Sequence, residues 1–335
     1  MPLADSPRAA GSIAVDAAIH LEGLTKRFGA TTAIENLDLV VPQGTLCGFI
    51  GPNGAGKTTT IRMIMSILFP DAGRLSVLGR ASALEAKDRI GYLPEERGVY
   101  RKMRVGDFLA FVARLKGLSG AGVAARVRRA LERVGLGDVE RKRCEELSKG
   151  MLQKVQFVAA TLHEPDLLIL DEPFSGLDPV SARVLRELIV EEHRRGATVL
   201  FSTHVMPHAE ELCERVVMIH RGRKVLDDDI PAIQRRYDTR AILLEPLDPS
   251  ADVAPLAALA GVERVERTER GYEIRLAAGI APEEAMRRIV MTVAPARIEL
   301  ARPRLEDIFI EIAGDDSPEL RSALTADEGE RASAA

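Results

Sequence analysis

Two runs in this chain have residue types and spacing suited to phosphate chemistry. The first, Gly51-Pro52-Asn53-Gly54-Ala55-Gly56-Lys57-Thr58-Thr59, fits the pattern G-x-x-x-x-G-K-[ST]. Glycines at these positions let successive backbone N–H groups curl around phosphate oxygens, and a helix opening at the end of the loop adds its partial positive charge. Lys57 is expected to reach the β- and γ-phosphates of a nucleotide. The Thr58 hydroxyl would coordinate Mg2+, and Thr59 would hydrogen-bond a phosphate. The second run, Leu167-Leu168-Ile169-Leu170-Asp171-Glu172-Pro173, closes an apolar stretch with two carboxylates. A carboxylate at the tip of a buried strand can hold Mg2+ through water, the role expected of Asp171. Glu172 beside it is placed to polarise an attacking water as general base. An isolated Asp-Glu after a strand is ordinarily a solvated pair, but behind a phosphate loop the catalytic reading is the stronger one.

Strands and helices must deliver these groups. Two strand-like runs, His20–Lys26 and Ile34–Val40, precede Leu46–Ile50, a buried-strand pattern that feeds the loop. A helix is predicted over Thr58–Leu68, stopped by Pro70. Ile90–Pro94 reads as a short strand, and residues 105–160 as mostly helical. Beyond the carboxylate strand come a helix at Ser181–Arg195, a strand at Thr198–Ser202 and a helix at Met206–Cys213. A hairpin follows, Val216–His220 with Lys224–Leu226, around Arg221-Gly222. Such alternation indicates a parallel sheet with helices on its faces, and the early strands without intervening helices indicate a flanking antiparallel portion. Composition shifts near Tyr237. The segments beyond follow the order β-α-β-β-α-β and then a helix, the ferredoxin-like order of a small α+β domain.

Composition narrows the function classes. A length of 335 residues with 46% hydrophobic content suits one large core and a smaller one. The net charge is −4, from 46 basic and 50 acidic residues, so no nucleic-acid partner is expected. No apolar run approaches the roughly 18 residues that span a bilayer. Met1–Asp16 lacks the basic start and apolar stretch of a secretory signal and reads as a flexible arm, while 315–335 reads as a disordered tail. A cytoplasmic location is the expectation, with any membrane role exercised through a partner. Cys47, Cys144 and Cys213 lie far apart, and Pro207 separates His204 from His208, so neither a disulfide framework nor a zinc site is supported.

Between the two phosphate-chemistry runs lies Leu147-Ser148-Lys149-Gly150-Met151. Behind them stand Ser175-Gly176-Leu177-Asp178 and then His204, following a Ser-Thr at a strand end. In this order the motifs resemble the ATP-binding subunit of an ABC transporter. The resemblance implies an α/β fold: a P-loop NTPase cassette over 17–237 with a parallel-sheet core, an antiparallel β portion and a helical subdomain at about 100–162, followed by the α+β domain at 238–314. It implies ATP and Mg2+ as cofactors. Phe28 sits where such proteins stack an aromatic on adenine. Ser148 and Gly150 would contact the γ-phosphate bound by a second copy, and Asp178 would meet that copy's phosphate loop. His204 would hydrogen-bond the γ-phosphate and sense its loss. The implied assembly is a homodimer with composite ATP sites, peripheral on the cytoplasmic face of the membrane and driving separate permease subunits docked by Glu95–Lys102 and the helix from Val105.

Two positions depart from the family pattern. The signature is usually Leu-Ser-Gly-Gly-Gln, and here Lys149 and Met151 replace its third and fifth residues. The loop after Gly91-Tyr92-Leu93-Pro94 usually supplies a glutamine to Mg2+ and the water, where this chain has Glu95. Glu95 is expected to do the glutamine's work and, with Thr58 and Asp171, to complete the metal-binding set. Both departures, with Pro303-Arg304-Leu305-Glu306-Asp307-Ile308-Phe309-Ile310 near the end, resemble ATPase subunits of type-2 exporters likened to sodium or drug efflux pumps. The alternative is a regulatory ATPase of this type free of any transporter, for example on ribosomes, but those usually carry two cassettes. Chromosome and repair ATPases insert long coiled coils that this chain lacks, and no Asn-Lys-x-Asp motif supports a GTPase.

Overall fold

A computed structural model describes residues 16–96, 98–237 and 240–314. The expected arm, apart from Asp16, and the expected tail lie outside the described residues. The chain divides into two compact units between Asp229 and Ile230.

In the first unit, β1 (Ala17–Phe28) and β2 (Thr31–Pro42) form an antiparallel pair. β3 (Leu46–Ile50) leads through the Gly-rich loop into α1 (Lys57–Ile64). β4 (Ala72–Val77), which the sequence pattern did not reveal, joins the other edge of β1 and completes the antiparallel sheet β2-β1-β4. β5 (Ile90–Leu93) precedes the helical region α2 (Val105–Leu115), α3 (Gly122–Arg133) and α4 (Lys149–Thr161). Then come β6 (Leu167–Asp171), α5 (Pro179–Arg194), β7 (Thr198–Thr203), α6 (Met206–Leu212), β8 (Arg215–His220) and β9 (Arg223–Asp229).

The central sheet runs β5-β6-β7-β3-β8-β9, parallel except for β9, which is antiparallel to β8. β3, β6 and β7 are buried at every position, as expected of strands covered on both faces, which explains their unbroken apolar runs. The predicted turn between β8 and β9 carries positive φ at Arg221 and Gly222, as a tight hairpin turn requires.

α1 ends earlier than predicted, at Ile64. Ser66 adopts φ 56° and its N–H donates to Met63, while the Ile67 N–H donates to Arg62. That Schellman closure ends the helix well before Pro70 can act.

The second unit opens with α7 (Ile230–Arg236), and the composition shift at Tyr237 falls just behind that helix. β10 (Ala241–Pro246), β11 (Val262–Thr268), β12 (Gly271–Leu276), α8 (Pro282–Thr292), β13 (Pro295–Leu300) and α9 (Leu305–Gly314) follow. The sheet order β11-β12-β10-β13, antiparallel throughout, is the split-βαβ arrangement read from the sequence. The first crossover, predicted as a helix, is only a 3-10 turn at Ala254–Ala258. Ile242, Leu244, Ile274, Leu276 and Ile289 form its core. Among the described residues, no helix is long and apolar enough to cross a membrane.

Candidate active site

The chemistry-bearing residues gather because the central strands end level with one another. Ile50 pairs with Thr203, Asp171 with Ser202, and Leu93 with Leu170. The carboxyl edge of β3, β5, β6 and β7 therefore carries the phosphate loop, Glu95, Asp171, Glu172 and His204 on adjacent strand ends, the usual ligand edge of such sheets.

The loop has a backbone that demands glycine. Gly51, Gly54 and Gly56 have φ of 152°, 77° and 110°. A Cβ on Gly51 would fall 2.2 Å from the Ile219 carbonyl oxygen, and one on Gly56 would fall 2.8 Å from that of Ala33. Ala55 is buried, its N–H donating to the Pro52 carbonyl and its own carbonyl accepting from Gly222; Asn53 is exposed. Gly56 caps α1 with no side-chain bond, so the first N–H groups of the helix, at Lys57, Thr58 and Thr59, stay available to an anion.

Lys57 is 6% exposed and donates to the carbonyls of Gly51, at 2.7 Å, and Pro52, at 3.2 Å. Its ammonium lies 3.5 Å from Glu172 Oε1. Burial pushes the Lys57 ammonium down from its ordinary value, against the pull of Glu172, Asp171 and Glu95. Asp171 is fully buried, and burial raises its carboxyl pKa against the hydrogen bonds from Ser202 and Thr58. The Thr58 hydroxyl donates to Asp171 Oδ1 at 3.4 Å. The other oxygen, Oδ2, is buried with no protein partner. An orphaned buried carboxylate oxygen beside a threonine hydroxyl fits a hard cation such as Mg2+, which Asp171 and Thr58 would hold.

Glu172 is 8% exposed and has φ 48°, a left-handed conformation costing a non-glycine residue about 1–3 kcal/mol. Its N–H is fixed by Ser202, through the backbone carbonyl at 3.2 Å and the hydroxyl at 3.1 Å. That turn aims the carboxylate at the loop. His204 Nδ1 lies 2.9 Å from the same Oε1 that faces Lys57. A carboxylate held between a lysine and a histidine, beside a metal-competent aspartate, can take a proton from water attacking a bound phosphate.

Not every predicted residue joins this cluster. Glu95 is exposed and acts on Lys57 only through its charge. Phe28 is half exposed at the end of β1, with Lys26 Nζ 5.6 Å from the ring centroid. Ser148 caps α4, accepting from the Met151 N–H at 3.3 Å. Asp178 caps α5, accepting from the Ser181 N–H at 2.9 Å and its hydroxyl at 2.7 Å, which hold its carboxyl below the usual range. Gly150 is packed so closely on Ser181 that a Cβ would fall 2.6 Å from its hydroxyl. Among the described residues, no hydrogen bond or ion pair ties Ser148, Gly150 or Asp178 to the phosphate loop. Two participants are not apparent in the sequence pattern: Ser202, which bonds the Asp171 carboxylate and the Glu172 N–H, and Gln153, which donates to the Pro173 carbonyl at 2.9 Å. Ser202 stood in plain view before Thr203 and His204, but only strand register puts it opposite Asp171.

Comparison with known proteins places the chain in a family. The family described as "ABC transporter" matches residues 34–175, and the family "ATP-binding protein DrrA1-3-like, C-terminal domain" matches residues 229–313. The chain is 40% identical over 296 residues to the uncharacterized ABC transporter ATP-binding protein YhaQ of Bacillus subtilis, covering 88% of this chain and 98% of that protein. It is 34% identical over 313 residues to the daunorubicin resistance ATP-binding protein DrrA3 of Streptomyces coeruleorubidus, covering 90% and 97%. A solved structure described as the ATP-binding subunit of an ABC transporter is 33% identical, with a TM-score of 0.61, covering 66% of this chain and 93% of that one. With its phosphate loop, its carboxylate strand end and these relatives along most of its length, the chain belongs to the ATP-binding, ATP-hydrolysing proteins of ABC transporters.

Proposed function

We propose that two copies of this chain close around two ATP molecules and two Mg2+ ions, hydrolyse the ATP, and drive a separate membrane permease that exports its substrate. The observation that carries the dimer is the division of the chemistry within one chain. Lys57, Thr58, Asp171, Glu172 and His204 form one connected cluster, while Gly150 and Asp178 gather around Ser181, with Ser148 capping the helix that carries Gly150. Both carry groups suited to a γ-phosphate, so a second copy is the natural source of the missing half. Glu172 serves as general base, Lys57 and His204 steady the phosphate charge, and Asp171, Thr58 and Glu95 hold the metal. Phe28 stacks on the base. Positioning and charge stabilisation dominate such catalysis.

Export is supported by the second unit, which matches the DrrA1-3-like C-terminal domain, and by the similarity to DrrA3, a daunorubicin resistance protein. The subunit would sit on the cytoplasmic face of the membrane, held there by its permease. The test is Glu172→Gln at saturating ATP and Mg2+. ATP turnover should fall by roughly 10²–10⁴-fold, and light scattering after size exclusion should find a dimer. A variant that stays monomeric at saturating ATP overturns the composite site.

A further inference from the structure

We infer that Lys149 and Gln153, on the opening turns of α4, are positioning residues that hold Glu172 of the same subunit. This rests on the reading of Glu172 as general base and goes beyond it. Glu172 sits in a left-handed turn that needs support on both sides. On its strand side Ser202 holds the N–H. On the other side the next carbonyl, that of Pro173, accepts from Gln153 Nε2 at 2.9 Å, in a bond shielded from water because Gln153 is 9% exposed.

One helical turn before Gln153, on the same face of α4, stands Lys149. Its side chain lies along the bare face of Gly176, where φ is +63°: a Cβ there would fall 1.6 Å from Lys149 Nζ and 2.7 Å from Cε. Between the two, Gly150 rests on Ser181, which is bonded to Asp178. The start of α4 is thus fastened along the segment 173–181 that follows the catalytic carboxylate. Lys149, one of the two departures from the usual signature, turns toward its own chain's Gly176.

The consequence is a mechanical link. Ser148 and Gly150 serve the ATP of the facing subunit, while Glu172 serves its own. When the signature grips the facing γ-phosphate, Lys149 and Gln153 carry that displacement to Gly176 and Pro173 and so set the base for the other ATP.

The test uses the full chain with Gln153→Leu, which keeps volume and loses the donor, and Lys149→Ala, with Glu172→Gln in parallel. For both positioning variants kcat should fall about tenfold, while KM and the binding of a fluorescent ATP analogue stay within about twofold. In the nucleotide-free chain, amide exchange over Phe174–Asp178 should quicken while that of β3 does not change. Wild-type kcat in both variants overturns the inference. So does a joint loss of kcat, ATP affinity and β3 protection, which reports general loosening, or a loss of affinity in Lys149→Ala without faster exchange, which reports contact with the facing nucleotide. If Glu172→Gln itself keeps wild-type kcat, the reading of Glu172 as base is what fails. If Glu172→Gln is inactive while the other two are normal, only this inference fails.

Discussion

The Ser202 hydroxyl donates to Asp171 Oδ1 at 2.5 Å and leaves Oδ2 buried without a protein partner. One residue thereby orients the metal-competent carboxylate and, through its hydroxyl and backbone carbonyl, the N–H of Glu172. Removing that hydroxyl in Ser202→Ala should lower the unfolding free energy by about 1–3 kcal/mol, because a buried carboxylate loses a donor. Urea denaturation measures this, and Ser202→Thr, which keeps the hydroxyl, should recover most of the loss. In the same titration series Asp171→Asn should abolish the gain in ATP affinity that Mg2+ brings, without abolishing metal-free binding.

Phe28 offers a face and no hydrogen-bonding group. Phe28→Ala should weaken ATP binding by about 1–3 kcal/mol, roughly 5- to 150-fold in Kd. GTP should weaken in parallel, because stacking does not read base edges. A calorimetric Kd unchanged for both nucleotides would remove Phe28 from the site.

Glu95 stands on the loop after β5, exposed and within electrostatic range of Lys57. If it supplies a metal-bound carboxylate on closure, Glu95→Ala should lower ATPase activity by roughly ten- to hundredfold and Glu95→Gln by less. Full steady-state activity in the alanine variant ends that assignment.

His163 predicts how stability responds to acid. Burial, reinforced by the nearby Lys116 charge, lowers its pKa from 6.5 to about 4, while Nε2 lies 3.1 Å from the Ile90 carbonyl oxygen. Between those values the unfolded chain binds a proton that the folded chain does not. Stability should therefore fall as pH drops from 6.5 toward about 4, with no contribution from this group above 6.5. His163→Gln should flatten that part of the Tm–pH curve.

Legibility differed by residue. The run of apolar residues before Asp171 declared its strand, because a strand buried on both faces cannot alternate with polar residues. β4 did not declare itself: Ala72-Gly73-Arg74-Leu75-Ser76-Val77 is short, mixed in character and exposed over its first half, and it becomes a strand only by pairing with β1. α1 ends at Ile64, well before Pro70, because Ser66, a residue with no stop signal in its type, takes the left-handed conformation that closes the helix.

The sequence by itself determined the phosphate loop, the two carboxylates and the family, because glycine, lysine and aspartate at those spacings have few other uses. A change in strand and helix order near Tyr237 pointed to two parts, and the structure divides at Asp229/Ile230, before the short helix α7. Only the tertiary structure decided which residues touch. Parallel register set Ser202 against Asp171 and brought His204 to Glu172, residues 31 and 32 positions apart. Packing of α4 along the chain beyond Glu172 turned Lys149 onto Gly176 and Gln153 onto Pro173. Contacts of this kind depend on strand register and helix placement, which are settled by the packing of the whole core and are not encoded in any one segment.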